Sequence, residues 1–297
     1  MRIVIAGSSG YLGKPLMDAL EGLGEGHDLV RLVRHRPDEE NEIVWDPYQG
    51  PLDPQILDGV DAVVNLCGTS VGGRRWNAAY KKRIETSRVV PTTVLADAVA
   101  AAKVPVMVNA SAAGWYGDRA DVEVDESTPA AADFLGRLCL KWESAAAAAE
   151  ESGARVVRLR TGHVLGPGSV LLDRFVPAWK CFLGGRFGSG RQYMPWISLR
   201  DWVGAAVTAI EDESIRGPVN MVGPTPITNR EFAKALGAAV HRPTPWIIPG
   251  WAVKVVAGEA AIELLRGARI KPGVLQANGF EYQDQTLFEA LRYALND

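Results

Sequence analysis

The 297-residue chain has only three cysteines, Cys67, Cys139 and Cys181. They are far apart, odd in number and include no CxxC pair, so neither a disulfide framework nor a cysteine-based zinc site is supported. The four histidines, His27, His35, His163 and His241, show no ligand spacing, so no metal is expected. No GxSxG stretch occurs, which removes the nucleophile elbow of serine hydrolases. Basic charge is not in excess: 32 Lys+Arg stand against 35 Asp+Glu, a formal net charge of −3. That balance argues against a general nucleic-acid binder. No run of about 20 apolar residues is present. The nearest candidate, WIIPGWAVKVVAGEAAIELL (246–265), is interrupted by Lys254, Glu259 and Glu263. It reads as an amphipathic helix docked on the body, in preference to a helix lying on a membrane surface. The opening MRIVIAG carries one basic residue and an apolar run too short for a secretory signal. A cytoplasmic protein without membrane insertion is expected, and its oligomeric state is not legible.

The composition that remains, 47% hydrophobic and 23% charged, is that of an ordinary globular protein. Arg2–Ala6 reads as a short β-branched strand. It runs into Gly7-Ser-Ser-Gly10-Tyr-Leu-Gly13 and then a helix beginning KPLMDAL. A glycine at the strand end permits a tight turn, a second lets backbone approach a pyrophosphate, and a third lets the helix pack on the strand. The helix N-terminus then offers free N–H groups to phosphate. The spacing is GxxGxxG, and a glycine triplet also serves ordinary turns. The strand–turn–helix context is what points to a dinucleotide.

The next strand, DLVRLVR (28–34), ends on Arg34, followed by His35 and Arg36. An enzyme that uses NAD places Asp or Glu there to accept from the ribose 2′-hydroxyl. A cation suits a 2′-phosphate instead. NADP(H) is therefore the expected cofactor; the competing reading of Arg34 is a solvated basic turn.

Further strands follow at EIVWD (42–46), DAVVNLCG (61–68), VPVMVNASAAGWYG (104–117) and ARVVRLRTG (154–162). The near-continuous apolar character of the third fits a parallel sheet covered on both faces. Between them lie helices at RRWNAAYKKRIETSRVV (74–90), TTVLADAVAAA (92–102) and FLGRLCLKWE (134–143). Alternating strands and helices predict an α/β fold, a Rossmann-type doubly wound parallel sheet. Residues 1–162 and about 188–222 are assigned to it, with a strand near 218–222 returning to the sheet. Residues about 163–187 and 223–297 are assigned to a smaller substrate or capping lobe over its carboxyl edge.

At this point the residues carry a resemblance. Gly7-x-x-Gly10-x-x-Gly13, Asn65-Leu-Cys-Gly68, Ser111 followed by Trp115-Tyr116-Gly117-Asp118, and GGRFGSGRQYMPWI (184–197) resemble an extended short-chain dehydrogenase/reductase. More narrowly, Gly73-Arg-Arg-Trp76, Ser87-Arg88, Leu159-Arg-Thr-Gly162 and ANGFEYQDQTLFEAL (277–291) are similar to the epimerase family proteins of that superfamily. The likeness covers essentially the whole chain.

The resemblance implies that Gly7, Ser8, Gly10, Tyr11 and Leu12 wrap the pyrophosphate and that Arg34, with Arg36, holds the 2′-phosphate. Leu66, Cys67 and Gly68 would line the adenosine side, and Arg88 would reach back to the cofactor phosphates. Ser111 and Ala112 would sit beside the nicotinamide, with Thr161 across from it.

Two departures follow from the same resemblance. The superfamily's Tyr-x-x-x-Lys pair, which moves the substrate proton, falls at Leu135 and Cys139, with Glu143 marking the register. Lys141 cannot stand in, because it lies about 200° round the helix from Cys139. The face formed by Leu135, Leu138, Cys139 and Trp142 reads as packing. Tyr116 is then the best substitute acid, with Ser111 to polarise a carbonyl; otherwise Tyr116 is an aromatic wall. The arginine that clamps nucleotide-sugar diphosphates is also missing, since Met194, Pro195 and Trp196 follow Gln192 and Tyr193. Arg186 and Arg191 remain as anchors for an unidentified small-molecule substrate, beside Trp196. Two functions stay open: an NADP(H)-dependent oxidoreductase or epimerase-like enzyme with a non-standard proton donor, and a non-catalytic NADP(H)-binding sensor.

Overall fold

In Arg2–Ala6 (β1), Ile3, Val4, Ile5 and Ala6 are all fully buried, as are Ala62, Val63 and Val64 in Ala62–Asn65 (β4). A computed structural model that describes residues 1–23 and 26–295 shows why. Both faces of the sheet are covered, so these strands have no need of polar alternation. The other members are Asp28–Val33 (β2), Glu42–Val44 (β3), Val106–Ala112 (β5), Arg155–Thr161 (β7) and Gly217–Met221 (β11). All seven run parallel, in the order β3-β2-β1-β4-β5-β7-β11. The order reverses between β1 and β4, so the glycine loop after β1 opens at the switch point of a doubly wound sheet.

Alternate residues feed two separate cores. Ile3, Ile5, Val64 and Val108 meet helices Gly13–Gly22 (α1) and Leu199–Glu211 (α6) through Leu16, Leu20, Trp202 and Ala205. Val4, Ala6, Val30 and Val63 meet helix Ala78–Ala102 (α2) through Leu95, Ala96 and Val99. Beyond α2 come Phe134–Ser144 (α3) and Ala147–Glu151 (α4).

Short parallel pairs build the region over the carboxyl edge. Glu123–Val124 (β6) pairs with Arg269–Ile270 (β13), His163–Leu165 (β8) with Trp196–Ser198 (β10), and Gly185–Phe187 (β9) with Trp246–Ile248 (β12). Around them lie helices Val170–Lys180 (α5), Asn229–Ala239 (α7), Gly250–Ala257 (α8), Ile262–Leu265 (α9), Gly273–Ala277 (α10) and Leu287–Leu295 (α11). A third apolar core, with Trp179, Trp196, Phe232 and Leu291 at its centre, joins α5, α7 and α11.

Two expectations about local structure are corrected. The two helices expected at 74–90 and 92–102 are one helix, with Pro91 inside it. A mid-helix proline costs about 3 kcal/mol; burial of Ile84, Leu95, Ala96 and Val99 on both sides of it outweighs that cost. The single docked helix expected at 246–265 is instead β12, α8, a 3-10 turn at Gly258–Ala261 and α9. Pro249 ends the strand, and Gly258, at φ 62°, ends α8. Only Val253 of α8 is buried, while Trp251, Val255 and Val256 face outward. Among the described residues no helix is long and apolar enough to cross a membrane.

Candidate functional site

Two cavities open along the carboxyl edge of the sheet and meet across Gly68 and Arg88. The first, about 940 Å³, is floored by the glycine loop. Gly7 sits at φ 87°, a conformation that L side chains rarely adopt, and a Cβ on Gly13 would lie 2.3 Å from the Gly7 carbonyl oxygen. The first turn of α1 is therefore pressed onto the loop as closely as backbone allows.

Gly7, Ser8, Gly10, Arg34, Leu66, Cys67 and Gly68 line this groove. Arg34 lies at the end of β2, exposed at the groove's edge beside Tyr48. Burial pushes the Cys67 thiol up to about 11, so it stays neutral as a wall. Two further cations come from α2: Lys82 and Arg83 face the groove with Ala79, Thr86 and Ser87. Their spacing is one face of a helix, a signal that was available in the sequence.

Tyr11 and Leu12 do not line the groove. Leu12 packs against the core. The Tyr11 hydroxyl is buried beside Ser169, and burial pushes it up to about 12. It lies near Gly166, where an added Cβ would be 3.0 Å from its oxygen. A glycine cradle and three cations together fit a phosphorylated dinucleotide.

The second cavity, about 240 Å³, lies over the ends of β5 and β7. Register explains which side chains reach it. Ala112 pairs with Thr161 and Ser111 with Arg160. Because side chains alternate along a strand, Ala112 and Thr161 enter the cavity while Ser111 and Arg160 turn to the other face. Ala112 and Thr161 thus line the cavity, whereas the expected placement of Ser111 is corrected. Ser111 Oγ donates to Glu143 Oε1 at 2.6 Å, beneath the cavity floor.

That lower face holds a buried ionic network. Arg160 is gripped in bidentate fashion by Glu143, at 2.9 and 3.0 Å. Its guanidinium lies 3.7 Å from the centroid of the Trp115 ring. Arg160 Nη1 donates to the Tyr116 hydroxyl at 3.0 Å, and that hydroxyl donates to Asn220 Oδ1 at 2.6 Å. Tyr116 is fully buried and burial pushes it up to about 12, so the expectation that it is the acid is corrected: it is a structural hydrogen-bond relay. Tyr116→Phe is accordingly expected to lower stability by about 1–3 kcal/mol, the worth of a buried hydrogen bond to a charged partner. Thermal melts and steady-state rates check this, and turnover should stay unchanged.

The substrate anchors are corrected as well. Trp196 is core, its indole donating to the Thr225 carbonyl at 3.0 Å. Arg186 donates to the Ser189 carbonyl, Arg191 is exposed, and neither lines the second cavity. Gln192 holds the lobe together instead, donating to the carbonyls of Phe187 at 3.1 Å and Leu264 at 2.9 Å.

Arg88 was expected at the cofactor phosphates, yet it lines the second cavity. Its Nη1 donates to the Thr69 and Ile84 carbonyls, and its guanidinium sits 5.0 Å over the Trp142 ring. The apolar face of α3 is not plain packing: Leu135, Leu138, Cys139 and Trp142 form one wall of the cavity. Burial, reinforced by Glu143, pushes the Cys139 thiol up to about 12. Lys141 faces away, paired with Glu85 at 2.9 Å.

Sequence reasoning did not assign His163, Glu263 and Arg266 to this cavity. Burial pushes His163 down to about 4, leaving a neutral imidazole. Glu263 did leave a trace, as one of the charges interrupting the apolar run at 246–265.

Comparison with known proteins agrees with this geometry. The sequence model of the NAD dependent epimerase/dehydratase family matches residues 3–222, and that of a domain of unknown function (DUF1731) matches residues 248–294. An epimerase family protein of Mycobacterium tuberculosis is 48% identical, over 98% of this chain and 97% of its own length. The crystal structure of human epimerase family protein SDR39U1 with NADPH superposes at TM-score 0.90, with 32% identity and full coverage of both chains. A nucleoside-diphosphate sugar epimerase from Corynebacterium glutamicum superposes at 0.80, also with 32% identity, over 99% of this chain and 58% of that one.

Proposed function

The chain belongs to the NAD dependent epimerase/dehydratase family, and from that premise we propose that it is an NADP(H)-dependent oxidoreductase or epimerase-like enzyme acting on a small carbonyl or alcohol. One observation carries the reading: a cationic groove on the glycine loop lies beside a second, largely apolar cavity along the carboxyl edge of the sheet, with Arg88 of the second close to Gly68 of the first. The NADPH bound to the human relative supports the choice of cofactor. Gly7, Gly10 and the start of α1 hold the pyrophosphate, Arg34 with Lys82 and Arg83 holds the ribose phosphate, and Ala112 and Thr161 flank the reacting end. The cofactor supplies or accepts hydride; the chain orients the substrate and excludes water. The cavity's modest size and the absence of a diphosphate clamp favour a small substrate over a nucleotide-sugar.

The test is NADPH oxidation against a panel of aldehydes and ketones. Carbonyl-dependent oxidation supports the enzyme. Tight NADPH binding with no oxidation by any member supports the non-catalytic sensor, the reading that Leu135 and Cys139 keep open.

Restoring the superfamily pair by Leu135→Tyr with Cys139→Lys is expected to give no gain in turnover and a loss of about 2–4 kcal/mol in stability. Cys139 is 2% exposed and lies near the buried Arg88 cation. A lysine ammonium there would meet a like charge. Melting curves and rates of the double variant check both halves.

A further inference from the structure

We propose that Glu263, on the capping helix α9, is the proton donor and acceptor of the second cavity, in place of the absent tyrosine. This rests on the function proposed above. Glu263 is part of the cavity wall, where it shares the cavity with Thr161, His163 and Arg88. Its segment is held in place from several directions. Gln192 ties the Leu264 carbonyl, Lys81 of α2 pairs with Glu259, and Ile262 packs on the cluster of Trp76, Tyr80 and Ile84. The glutamate is thus a fixed wall of the cavity.

Its charged neighbours define its chemistry. Burial raises the Glu263 carboxyl from its ordinary 4.5 to about 7, while Arg88 of α2 and Arg174 of α5 pull it partway back. Of the other titratable groups on this cavity, His163 of β8 is neutral and Cys139 of α3 is a neutral thiol. Asp133 is occupied in capping α3, accepting from the Gly136 N–H at 2.9 Å. Arg266, just past α9, is exposed and adds a third cation at the rim. Among the described residues lining this cavity, Glu263 is therefore the acid that exchanges a proton near neutral pH, where general acid–base catalysis is most effective.

Reduction of a carbonyl adds a hydride at carbon, drawn from NADPH, which is left as NADP⁺. The C=O π pair moves onto oxygen, and that oxygen takes the proton from the Glu263 carboxyl. The carboxylate that remains sits near the buried Arg88 cation and recovers its proton from water at the rim. In the reverse direction the carboxylate accepts the alcohol proton.

The test compares wild-type protein with Glu263→Gln, a change of nearly identical shape. The first readout needs no cofactor. A carboxyl whose folded value is raised makes the folded state bind more protons than the unfolded one between pH 4.5 and about 7. Wild-type stability should fall across that window relative to Glu263→Gln, and the gap in Tm should level off above it. Calorimetry should give an NADPH Kd within about threefold of wild type for the variant. Carbonyl reduction should drop about 10²- to 10⁴-fold. The wild-type rate should be flat below pH 7 and fall above it, because the protonated form is required. A variant that keeps wild-type turnover, or a Tm gap that does not change with pH, overturns the assignment of Glu263 alone. A wild-type protein that binds NADPH but reduces no carbonyl overturns the functional reading on which the assignment rests.

Discussion

Arg34→Asp is expected to raise the Kd for NADPH about ten- to a hundredfold while leaving that for NADH within a few-fold of wild type, as calorimetry with both cofactors would show. Arg34 ends β2 at the rim of the groove, where the ribose-reading side chain of a doubly wound sheet is placed. Its guanidinium can make a charge-assisted bond to a 2′-phosphate, and an aspartate there would repel that phosphate. A charge-assisted bond contributes roughly 1.5–3 kcal/mol, which is where the expected factor comes from. Lys82 and Arg83 face the same groove from α2, so the loss should stop short of abolishing binding. Added salt should shrink the difference, since the site is open to solvent.

Glu143→Gln is expected to lower stability by about 3–5 kcal/mol, read from chemical denaturation, a large share of what a domain of this kind possesses. The substitution leaves the Arg160 guanidinium, 3% exposed, without its counter-charge. It also weakens the acceptor of the Ser111 hydroxyl. Replacing both members, Glu143→Leu with Arg160→Met, should recover much of that loss, because a buried pair costs most when one partner is removed alone. The network lies directly under Ala112 and Thr161, so the single variant should also blunt turnover.

The parts of the site made by local sequence were legible. A strand, three glycines and a helix are contiguous, and Arg34 follows at the end of the next strand, so the groove could be read from spacing alone. Lys82 and Arg83 were legible in principle, since they recur with Ala79, Thr86 and Ser87 on one helical face. Ser111 and Ala112 differ only by one step of strand alternation; no sequence pattern says which of them faces a cavity. The register of β5 against β7 decides it.

Tyr116 stands past the end of its strand, just after a 3-10 turn, so neither period 2 nor period 3.6 constrains where its hydroxyl points. Arg186, Arg191 and Trp196 belong to a segment whose likeness to a substrate loop holds in sequence. In the structure its Gln192 braces the α9 segment through the Leu264 carbonyl. Glu263 is the clearest case of information absent from sequence. A glutamate in a broken apolar run reads as a solvated face until the chain brings it back over Thr161 and Arg88.

The most direct measurement of the central claim follows the hydride itself. Protein loaded with NADPH carrying deuterium at the transferable position of the nicotinamide would be mixed with a carbonyl that it turns over, and the product analysed by mass spectrometry. An oxidoreductase site in these two cavities predicts one deuterium on the carbinol carbon of the alcohol product, lost when the experiment is repeated with ordinary NADPH. An alcohol without deuterium, or recovery of unreacted carbonyl and NADPH from every pairing tried, would contradict it.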